Sequence, residues 1–311
     1  MKINPPDSGL YVIAVSGGVD SMVLLDLLVR QAKSQKPKAK SRGIQLSANG
    51  LQLVVAHFNH GIRDDAAEDE ELVDKAAKKL GLVFELGHGK LGAAASEDQA
   101  RKARYGFLEE VRAKHKAKAI ITAHHQDDMI ETAFINVLRG SGRKGLTAIK
   151  DNPKIFRPLI NIPKKELVEY AKAQKIAWRD DKTNQDPRYL RNYIRLELMP
   201  RLPDAQRRQL VKNIDKVAKN KQELDNLIAT LSHSIVKNEY IDRSKFTSLP
   251  TELCSELITY WLREHGMRQF NRKTVERLSL GLKIAKSHTE VIAGKDLKLV
   301  IGTTSAHFSN R

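Results

Sequence analysis

A glycine-rich segment near the start of the chain has the residue types of a phosphate-binding loop. It follows a short apolar run, residues 10–15, and precedes residues with helical spacing. Glycines let backbone N–H groups approach an anion closely, and a helix N-terminus adds a favourable partial charge. We therefore predict a strand, a loop and a helix that together bind the phosphates of a nucleotide; a plain strand-to-helix turn is the simpler alternative. The predicted binding residues are Ser16, Gly17, Gly18, Val19, Asp20 and Ser21.

One carboxylate within this loop decides its chemistry. The loop is not a Walker A loop, because no Gly-Lys-Ser/Thr occurs, and it is not Gly-x-Gly-x-x-Gly either. The carboxylate of Asp20 would repel phosphate unless a metal ion lay between the two. Since Mg²⁺ prefers oxygen ligands and often shares them with substrate phosphates, we predict that Asp20 is a Mg²⁺ ligand.

Histidines and acidic residues form a second candidate group within residues 122–131. The group follows an apolar run, and open parallel sheets bind ligands at the carboxyl ends of their strands. Asp128 and Glu131 are three residues apart and share a helix face, which predicts a polar pocket beside the nucleotide, with His124 in it. An acidic helix N-terminus is one alternative. A zinc site at His124-His125 is another, although neighbouring strand residues point to opposite sides.

Further polar residues follow other predicted strands and helices. His57, Asn59 and His60 end the second apolar run, where they would line the nucleotide site. Arg101 and Arg104 share a helix face and could bind a phosphate through paired hydrogen bonds, or be ordinary solvated charges. The glycine-rich basic segment Arg139-Gly140-Ser141-Gly142-Arg143-Lys144-Gly145 could contact phosphate or simply connect two elements.

The segments that position these residues alternate between strand and helix. Apolar runs at 10–15, 51–56, 82–84 and 119–123 are typical of strands that are buried on both faces. Helical spacing follows these runs, and the second predicted helix ends at Gly81, a residue suited to the left-handed C′ position. Such alternation predicts an α/β fold, with a Rossmann-like parallel sheet and helices on both of its faces.

The rest of the chain has a different character. Lys33–Gly50 is basic and polar, which predicts a surface loop, and residues 179–187 are rich in turn-forming residues. Beyond residue 202 the spacing is mainly helical, and residues 296–301 have the pattern of a strand. We predict a catalytic domain over residues 1–202 and a smaller, mainly helical domain over residues 203–311, with the boundary near Leu202-Pro203.

Composition limits the classes of protein to which the chain could belong. It has 311 residues, a formal net charge of +17 and one cysteine. The positive charge favours a polyanionic partner, and a lysine-rich solvated surface is the alternative. One cysteine excludes a disulfide framework and a cysteine-based metal cluster, and the apolar neighbours of Cys254 predict a core residue. Because we find neither a membrane-length apolar run nor a signal-peptide pattern, we predict a cytoplasmic protein with no membrane partner.

Together these residues resemble the tRNA(Ile)-lysidine synthetases, a family within the N-type ATP pyrophosphatases with a PP-loop. The resemblance covers roughly residues 10–200 and begins with the glycine-rich loop. Its further motifs are Asn59-His60-Gly61-Ile62-Arg63, Glu97 with Ala100-Arg101 and Arg104-Tyr105, His124-His125, Asp127-Asp128, Glu131-Thr132, Arg139-Gly140, Arg157-Pro158-Leu159, Thr183-Asn184, Tyr189-Leu190-Arg191-Asn192 and Arg195. The combination is specific, whereas each motif alone is weak. The short C-terminal part resembles family members that lack a second C-terminal domain.

The resemblance implies an ATP-dependent carbon–nitrogen ligase that uses Mg²⁺. Such an enzyme adenylates the wobble cytidine of the isoleucine tRNA with a CAU anticodon, and the ε-amine of free L-lysine then attacks. The products are lysidine, AMP and pyrophosphate; codon reading changes from AUG to AUA, and charging changes from methionine to isoleucine. The resemblance places Asp20 at the metal or pyrophosphate site, makes Asp128 and Glu131 candidates for lysine recognition, and makes Arg101, Arg104 and His124 further catalytic candidates. The C-terminal domain would dock the tRNA, and a homodimer is left open.

Three other functions share some of these features. A sulphur-inserting tRNA enzyme would need a thiolate nucleophile or a cysteine cluster, and the single cysteine lies in the predicted helical domain. An amide ligase similar to GMP synthetase gives no reason for the net charge of +17. A non-catalytic RNA-binding protein would not need Asp20, Asp128 and Glu131 at the ends of predicted strands.

Overall fold

The computed structural model describes residues 1–33, 50–61, 65–89, 92, 96–141, 143–147, 149, 154–179, 190–267 and 269–310, without the side chains of Glu97, Arg143 and Lys144. Several predicted features therefore lie outside the described residues. These are the interior of the Lys33–Gly50 loop, Ile62-Arg63, nearly all of the turn-rich segment 179–187 with Thr183-Asn184, Tyr189, and part of the segment Arg139–Gly145.

A five-stranded parallel sheet forms the centre of the N-terminal part, as predicted. Its strands are β1 (Gly9–Ala14), β2 (Leu51–Asn59), β3 (Val83–His88), β4 (Ala119–Ile121) and β5 (Ile155–Phe156), and their order across the sheet is β3-β2-β1-β4-β5. The chain reverses its direction of winding between β1 and β4, so the carboxyl ends of these two strands border the crevice where such sheets bind ligands. The sequence analysis missed β5, which has only two residues.

Helices cover both faces of this sheet, which confirms the predicted α/β fold. They are α1 (Val19–Lys33), α2 (Ala66–Leu80), α3 (Glu97–Lys114), α4 (Gln126–Leu138), α5 (Arg143–Leu146), α6 (Lys164–Ala173) and α7 (Leu190–Tyr193); a π-helical segment (Ile194–Leu198) and a 3₁₀ turn (Met199–Arg201) follow. Alternate strand residues enter different cores. Ile13 packs in the core that contains residues of α1, α2 and α6, whereas its neighbour Val12 packs in the core that contains residues of α3.

Local signals explain where several of these helices start and end. The hydroxyl of Ser96 accepts a hydrogen bond from the N–H of Gln99, and the side-chain oxygen of Gln99 accepts one from the N–H of Ser96, so α3 begins with a capping box. Helix α2 ends at Gly81, where φ is +70°, as predicted. These signals fix the lengths of helices that would otherwise fray into the neighbouring loops.

The chain divides into two compact units, Met1–Ala218 and Lys219–Arg311. Helix α8 (Asp204–Ile235) runs through the division. Residues 203–218, which the sequence analysis placed in the second domain, thus belong to the first unit. Their apolar side chains account for this, since Val211 packs beside Ile194 and Ile214 beside Met129 in two small cores of that unit.

The second unit combines helices with an antiparallel sheet. Its helices are the end of α8, α9 (Arg243–Thr247), α10 (Thr251–Glu264) and α11 (Arg272–Ile284), and its strands are β6 (Val236–Lys237), β7 (Tyr240–Asp242), β8 (Thr289–Ile292), β9 (Leu297–Ile301) and β10 (Ser305–Asn310), in the order β6-β7-β10-β9-β8. The mainly helical character is confirmed, and the predicted strand near the end of the chain is β9. The sequence analysis did not foresee the other four strands. Two of these have three residues or fewer, too few to show an alternating pattern.

The core of the second unit lies between its sheet and its helices. Cys254 is fully buried there with Phe246 and Leu299, as predicted for a small core residue. Burial raises the pKa of the Cys254 thiol, which keeps it protonated and unreactive. Among the described residues, no helix has the length and apolar character needed to cross a membrane.

Candidate active site

The predicted phosphate-binding loop lies between β1 and α1, at the carboxyl end of the central strand. Its second residue, Gly17, has φ of +88°, a backbone conformation that side-chain-bearing residues rarely adopt. The hydroxyl of Ser21 donates a hydrogen bond to the carbonyl of Gly18 (2.9 Å) and accepts one from the N–H of Ser16 (3.1 Å). The loop is therefore closed on itself and held in one shape by its own polar groups.

Two residues outside the loop hold it in place. The N–H of Arg179 donates to the carbonyl of Gly17 (3.0 Å), and the Arg179 guanidinium bonds Asp69 on α2 (2.9 Å). On the other side, Nδ1 of His57 donates to the carbonyl of Val15 (2.8 Å). His57 thus supports the loop from β2, and burial lowers its pKa, which favours the neutral ring.

Asp20 meets two cationic or polar groups at the first turn of α1. Nζ of Lys164, the first residue of α6, donates to both carboxylate oxygens at 2.6 Å. Nε2 of His125 lies 3.6 Å from one of them. Burial raises the pKa of the Asp20 carboxyl, but His125 and Lys164 lower it more, and the result is about 2. Asp20 is therefore an anion at neutral pH.

The carboxylate of Asp20 fits Mg²⁺ as a single protein ligand. Mg²⁺ commonly uses one or two carboxylates, completes its shell with water and substrate phosphates, and does not need a cage of protein ligands. Within the described part of the chain, no group of three or more His, Cys, Asp or Glu side chains could hold a metal ion. The zinc alternative at His124-His125 therefore receives no support from these residues, and Asp20 would hold Mg²⁺ together with a nucleotide.

His125 links the loop to the second acidic group. It caps α4: its Nδ1 accepts from the N–H of Asp128 (3.4 Å), and its own N–H donates to the Asp128 carboxylate (3.0 Å). Burial lowers the pKa of His125, but the carboxylates of Asp128 and Asp20 raise it more. The cap thus fixes the ring between the two carboxylates and leaves it little freedom to turn.

Asp128 and Glu131 share a helix face, as predicted, and an arginine joins them. Arg195, in the π-helical segment, donates to both oxygens of Glu131 (2.9 and 2.8 Å) and to Asp128 (3.2 Å). The Glu131 side chain is only 1% exposed. Burial raises the pKa of its carboxyl, and Arg195 lowers it again in part. The two carboxylates are therefore already paired with a cation of the protein itself, which the sequence analysis did not foresee.

Three arginines lie near Tyr105 and His124. The guanidinium carbons of Arg101 and Arg104 lie 4.8 and 5.6 Å from the ring centre of Tyr105. Arg157, directly after β5, is half-buried: burial lowers the pKa of its guanidinium, Tyr105 raises it, and the charge of Arg101 lowers it further. We name Arg101, Arg104 and Arg157 the arginine cluster. So much positive charge in a half-buried place is suited to an anionic group of a ligand.

Burial, together with the arginine cluster, keeps His124 uncharged. Burial lowers the pKa of His124, Asp128 raises it, and the three arginines lower it again, to about 3. Its Nδ1 lies 2.8 Å from the hydroxyl of Thr122. The neutral imidazole of His124 is able to accept a proton once an anion offsets the charge of the arginine cluster.

The low pKa of His124 makes the fold sensitive to acid. Because the pKa is 6.5 in the unfolded chain and about 3 in the fold, the unfolded state binds more protons between these values. The free energy of unfolding should therefore fall by about 1.4 kcal/mol per pH unit from this residue as the pH drops below about 6. Urea unfolding of His124→Gln between about pH 4.5 and 6 should lack this part of the slope. The same change at the exposed His233 should leave the slope as it is; equal slopes for His124→Gln and the unsubstituted protein would contradict the prediction.

Asn59 and His60 contact groups of the protein itself. The amide of Asn59 donates to Glu70 (2.5 Å) and accepts from the N–H of Gly61 (2.8 Å), so it shapes the turn after β2. The ring of His60 packs edge-on against Phe58, 5.0 Å between centres. Their predicted contact with the nucleotide, like that of His57, stays a prediction.

The PP-loop domain family (ATP_bind_3) matches residues 2–202, which include the loop, the acidic group and the arginine cluster. The chain belongs to the PP-loop domain family. The matched residues contain the whole parallel sheet and the candidate active site, so the site described above is that of a PP-loop ATP-binding domain.

The predicted resemblance to the lysidine synthetases is confirmed. The chain is 38% identical, over 201 residues, to a protein of Geobacter sulfurreducens named tRNA(Ile)-lysidine synthase; the match covers 61% of this chain and 40% of that protein. A protein of the same name from Deinococcus deserti is 29% identical over 308 residues, 96% of this chain and 53% of its own length. The chain thus spans about half, or less, of the length of these relatives.

A solved structure supports the fold of the PP-loop domain. It is a U34-tRNA thiolase from Methanococcus maripaludis with its [4Fe-4S] cluster, with a TM-score of 0.53 and 18% sequence identity, and the match covers 69% of this chain and 74% of that one. At this level of identity the likeness concerns the fold alone.

Four cations of the first unit have partners that the sequence analysis did not assign. They are Lys164, Arg179, Arg195 and Arg207, and each bonds a carboxylate that lies far away in the sequence. The separation between Lys164 and Asp20 is 144 residues. Ion pairs between distant residues produce no pattern in the local sequence. The one available signal would have been the number of acidic residues expected to be buried, because each of these needs a cation.

Proposed function

We propose that the chain is a tRNA(Ile)-lysidine synthetase, which joins free L-lysine to the wobble cytidine of the isoleucine tRNA with a CAU anticodon. ATP is split to AMP and pyrophosphate in the reaction, and the modified base, lysidine, reads AUA instead of AUG. The tRNA would then be charged with isoleucine instead of methionine. The observation that carries the proposal is the similarity of the PP-loop domain to several proteins named tRNA(Ile)-lysidine synthase.

Adenylation is the first step of the proposed reaction. The carbonyl oxygen of the cytidine attacks the α-phosphate of ATP, the bond to the β-phosphate breaks, and pyrophosphate leaves. The loop Ser16–Ser21 and the N-terminus of α1 would hold the phosphates through backbone N–H groups. Mg²⁺ at Asp20, when bound, would offset the negative charge that builds up on the leaving pyrophosphate.

Attack by lysine is the second step. The ε-amine forms a bond to the carbon that carries the adenylate, AMP leaves, and the nitrogen loses its proton. An amine attacks only when neutral, and the ε-amine of free lysine has a pKa of about 10.4, so the site must take up a proton. We assign Asp128 and Glu131 to hold the amine, which then shares these carboxylates with Arg195, and His124 to accept the proton. His124 becomes a better base once an anion neutralises the arginine cluster beside it.

The arginine cluster is assigned to the RNA. Three guanidiniums at the edge of the sheet suit a phosphate next to the wobble base, and they would also offset the anionic AMP. The net charge of +17 favours further contacts along the tRNA backbone, including contacts made by the second unit. A cytoplasmic location and a homodimer belong to the same proposal.

Sulphur insertion is the rival activity that shares this fold. The solved thiolase carries a [4Fe-4S] cluster, and cysteine thiolates are the usual ligands of such clusters. This chain has one cysteine in total, and Cys254 is buried in the second unit. Ligation of lysine, which needs no cysteine, therefore suits the residues better.

The products formed from ATP test the proposed reaction class. Radiolabelled ATP, incubated with the protein, Mg²⁺, tRNA and lysine, should give AMP and pyrophosphate, because the loop lacks the lysine of a Walker A loop. Continuous release of AMP should require both tRNA and lysine. Formation of ADP, or AMP release that does not change when lysine is omitted, would remove the proposal.

The lysine assignment has its own test. Asp128→Asn should raise the KM for lysine by about tenfold or more, since a charged hydrogen bond contributes roughly 1.5–3 kcal/mol. The KM for ATP should change little. Asp98→Asn, an exposed position on α3 paired with Lys102, is the matched control. An unchanged lysine KM in Asp128→Asn would move the amine site elsewhere.

A further inference from the structure

We propose that Lys164 is the phosphate-binding lysine of this PP-loop, supplied by α6 because the loop itself has none. In this structure its ammonium pairs with the Asp20 carboxylate; when Mg²⁺ and ATP bind, it would leave Asp20 for the phosphates. The inference rests on the proposed use of ATP, and it adds a residue that neither the sequence motifs nor the comparisons assign to the site.

The geometry gives the first reason. Nζ of Lys164 contacts both oxygens of the Asp20 carboxylate at 2.6 Å, at the first turn of the helix that follows the loop. The backbone of Lys164 is fixed, because its N–H donates to the carboxylate of Asp127 (3.3 Å). The ammonium therefore lies beside the loop, and the Lys164 side chain is 37% exposed.

Charge gives the second reason. A Mg²⁺ ion on Asp20 needs the carboxylate oxygens that Lys164 now occupies, and an ammonium beside a divalent cation is repelled. Binding of the metal ion would thus release Lys164 from Asp20. The nearest new anion would be the phosphates of the nucleotide, and a lysine ammonium is a compact point charge well suited to phosphate.

Mobility gives the third reason. His125 also faces Asp20, but its ring caps α4 through Asp128 and is buried. Lys164 has a flexible four-carbon stem, so it can change partners through rotations about its side-chain bonds. Of the two groups that lower the pKa of Asp20, Lys164 is the one able to move.

Pyrophosphate binding tests the phosphate half of the proposal. Calorimetry with inorganic pyrophosphate and Mg²⁺ should show about ten- to hundredfold weaker binding for Lys164→Met than for the unsubstituted protein, the range expected for the loss of a charged hydrogen bond. Lys165→Met, the exposed neighbour on the same helix, is the matched control and should bind normally. Lys164→Arg keeps the charge and should recover part of the affinity.

Metal binding without nucleotide tests the other half. Mn²⁺, a probe for the Mg²⁺ site that is detectable by electron paramagnetic resonance, should bind Lys164→Met more tightly than the unsubstituted protein, because its competitor for Asp20 is gone. If Lys164 merely stabilised the fold, Lys164→Met would weaken the binding of both pyrophosphate and Mn²⁺. Normal pyrophosphate affinity in Lys164→Met, or Mn²⁺ binding no tighter than in the unsubstituted protein, would overturn the proposal. Neither measurement uses RNA or lysine, so either outcome is independent of the lysidine assignment.

Discussion

Replacing Asp20 with asparagine is expected to lower the rate of adenylation by about 10³-fold or more while the fold remains intact. The substitution keeps the shape of the side chain and removes its charge, so Mg²⁺ loses its carboxylate ligand. Loss of a metal contact that stabilises developing charge is worth several kcal/mol in the transition state, and each 1.36 kcal/mol is a factor of ten in rate. Single-turnover formation of AMP at saturating Mg²⁺ measures the effect.

A matched control separates loss of the metal ligand from loss of a helix charge. Asp26 lies on the same helix and bonds Tyr170 and Arg30 away from the loop. Asp26→Asn removes the same charge and should leave the rate within about twofold, since it touches no group of the site. If Asp20→Asn retains a rate close to that of Asp26→Asn, then Asp20 is part of a structural turn and does not bind metal.

Replacing Arg195 with methionine is expected to lower the free energy of unfolding by about 3 kcal/mol. Removing one partner of a buried ion pair usually costs about 3–5 kcal/mol, because the other charge stays buried without compensation. We expect the lower end, since Arg195 is 33% exposed, although Glu131 is only 1% exposed. Urea unfolding at neutral pH measures the change.

Two comparisons make this result specific. Arg201→Met breaks the exposed pair with Glu197 and should cost less than about 1 kcal/mol. Adding Glu131→Gln to Arg195→Met should recover stability, because the buried carboxylate without a partner is then gone.

Without Arg195 the pKa of Glu131 should rise further above its ordinary value. As the pH falls, Glu131 would then be protonated in the folded protein before it is protonated in the unfolded chain. The loss of unfolding free energy caused by Arg195→Met should therefore shrink between pH 7 and pH 5. A deficit that is constant over this range would contradict the account.

The parallel sheet was predictable from the sequence because its strands are buried on both faces. Runs such as 51–56 must be continuously apolar there, and Gly81 marks a helix end by its backbone alone. Strand β5 and the short strands of the second unit carry no such signal. Two or three residues cannot show a period, and their pairing is decided by neighbours elsewhere in the chain.

The candidate active site was predictable where its residues lie close together in the sequence. The loop with Asp20 and the helix face with Asp128 and Glu131 follow from local motifs and spacing. The cations that pair with these carboxylates could not be predicted from local sequence, because Lys164 and Arg195 lie 144 and 64 residues away from their partners. A sequence pattern shows that a buried carboxylate needs a partner, but only the fold shows which cation provides it.

Analysis of the modified nucleoside tests the central claim most directly. The protein is incubated with ATP, Mg²⁺, isotope-labelled L-lysine and unmodified isoleucine tRNA with a CAU anticodon, and the digested RNA is examined by mass spectrometry. We predict one new nucleoside, heavier than cytidine by one lysine less one water, that carries the label and is absent when ATP is omitted or when Asp20→Asn replaces the unsubstituted protein. An unmodified wobble cytidine, or incorporation of ammonia or sulphur in place of lysine, would contradict the account.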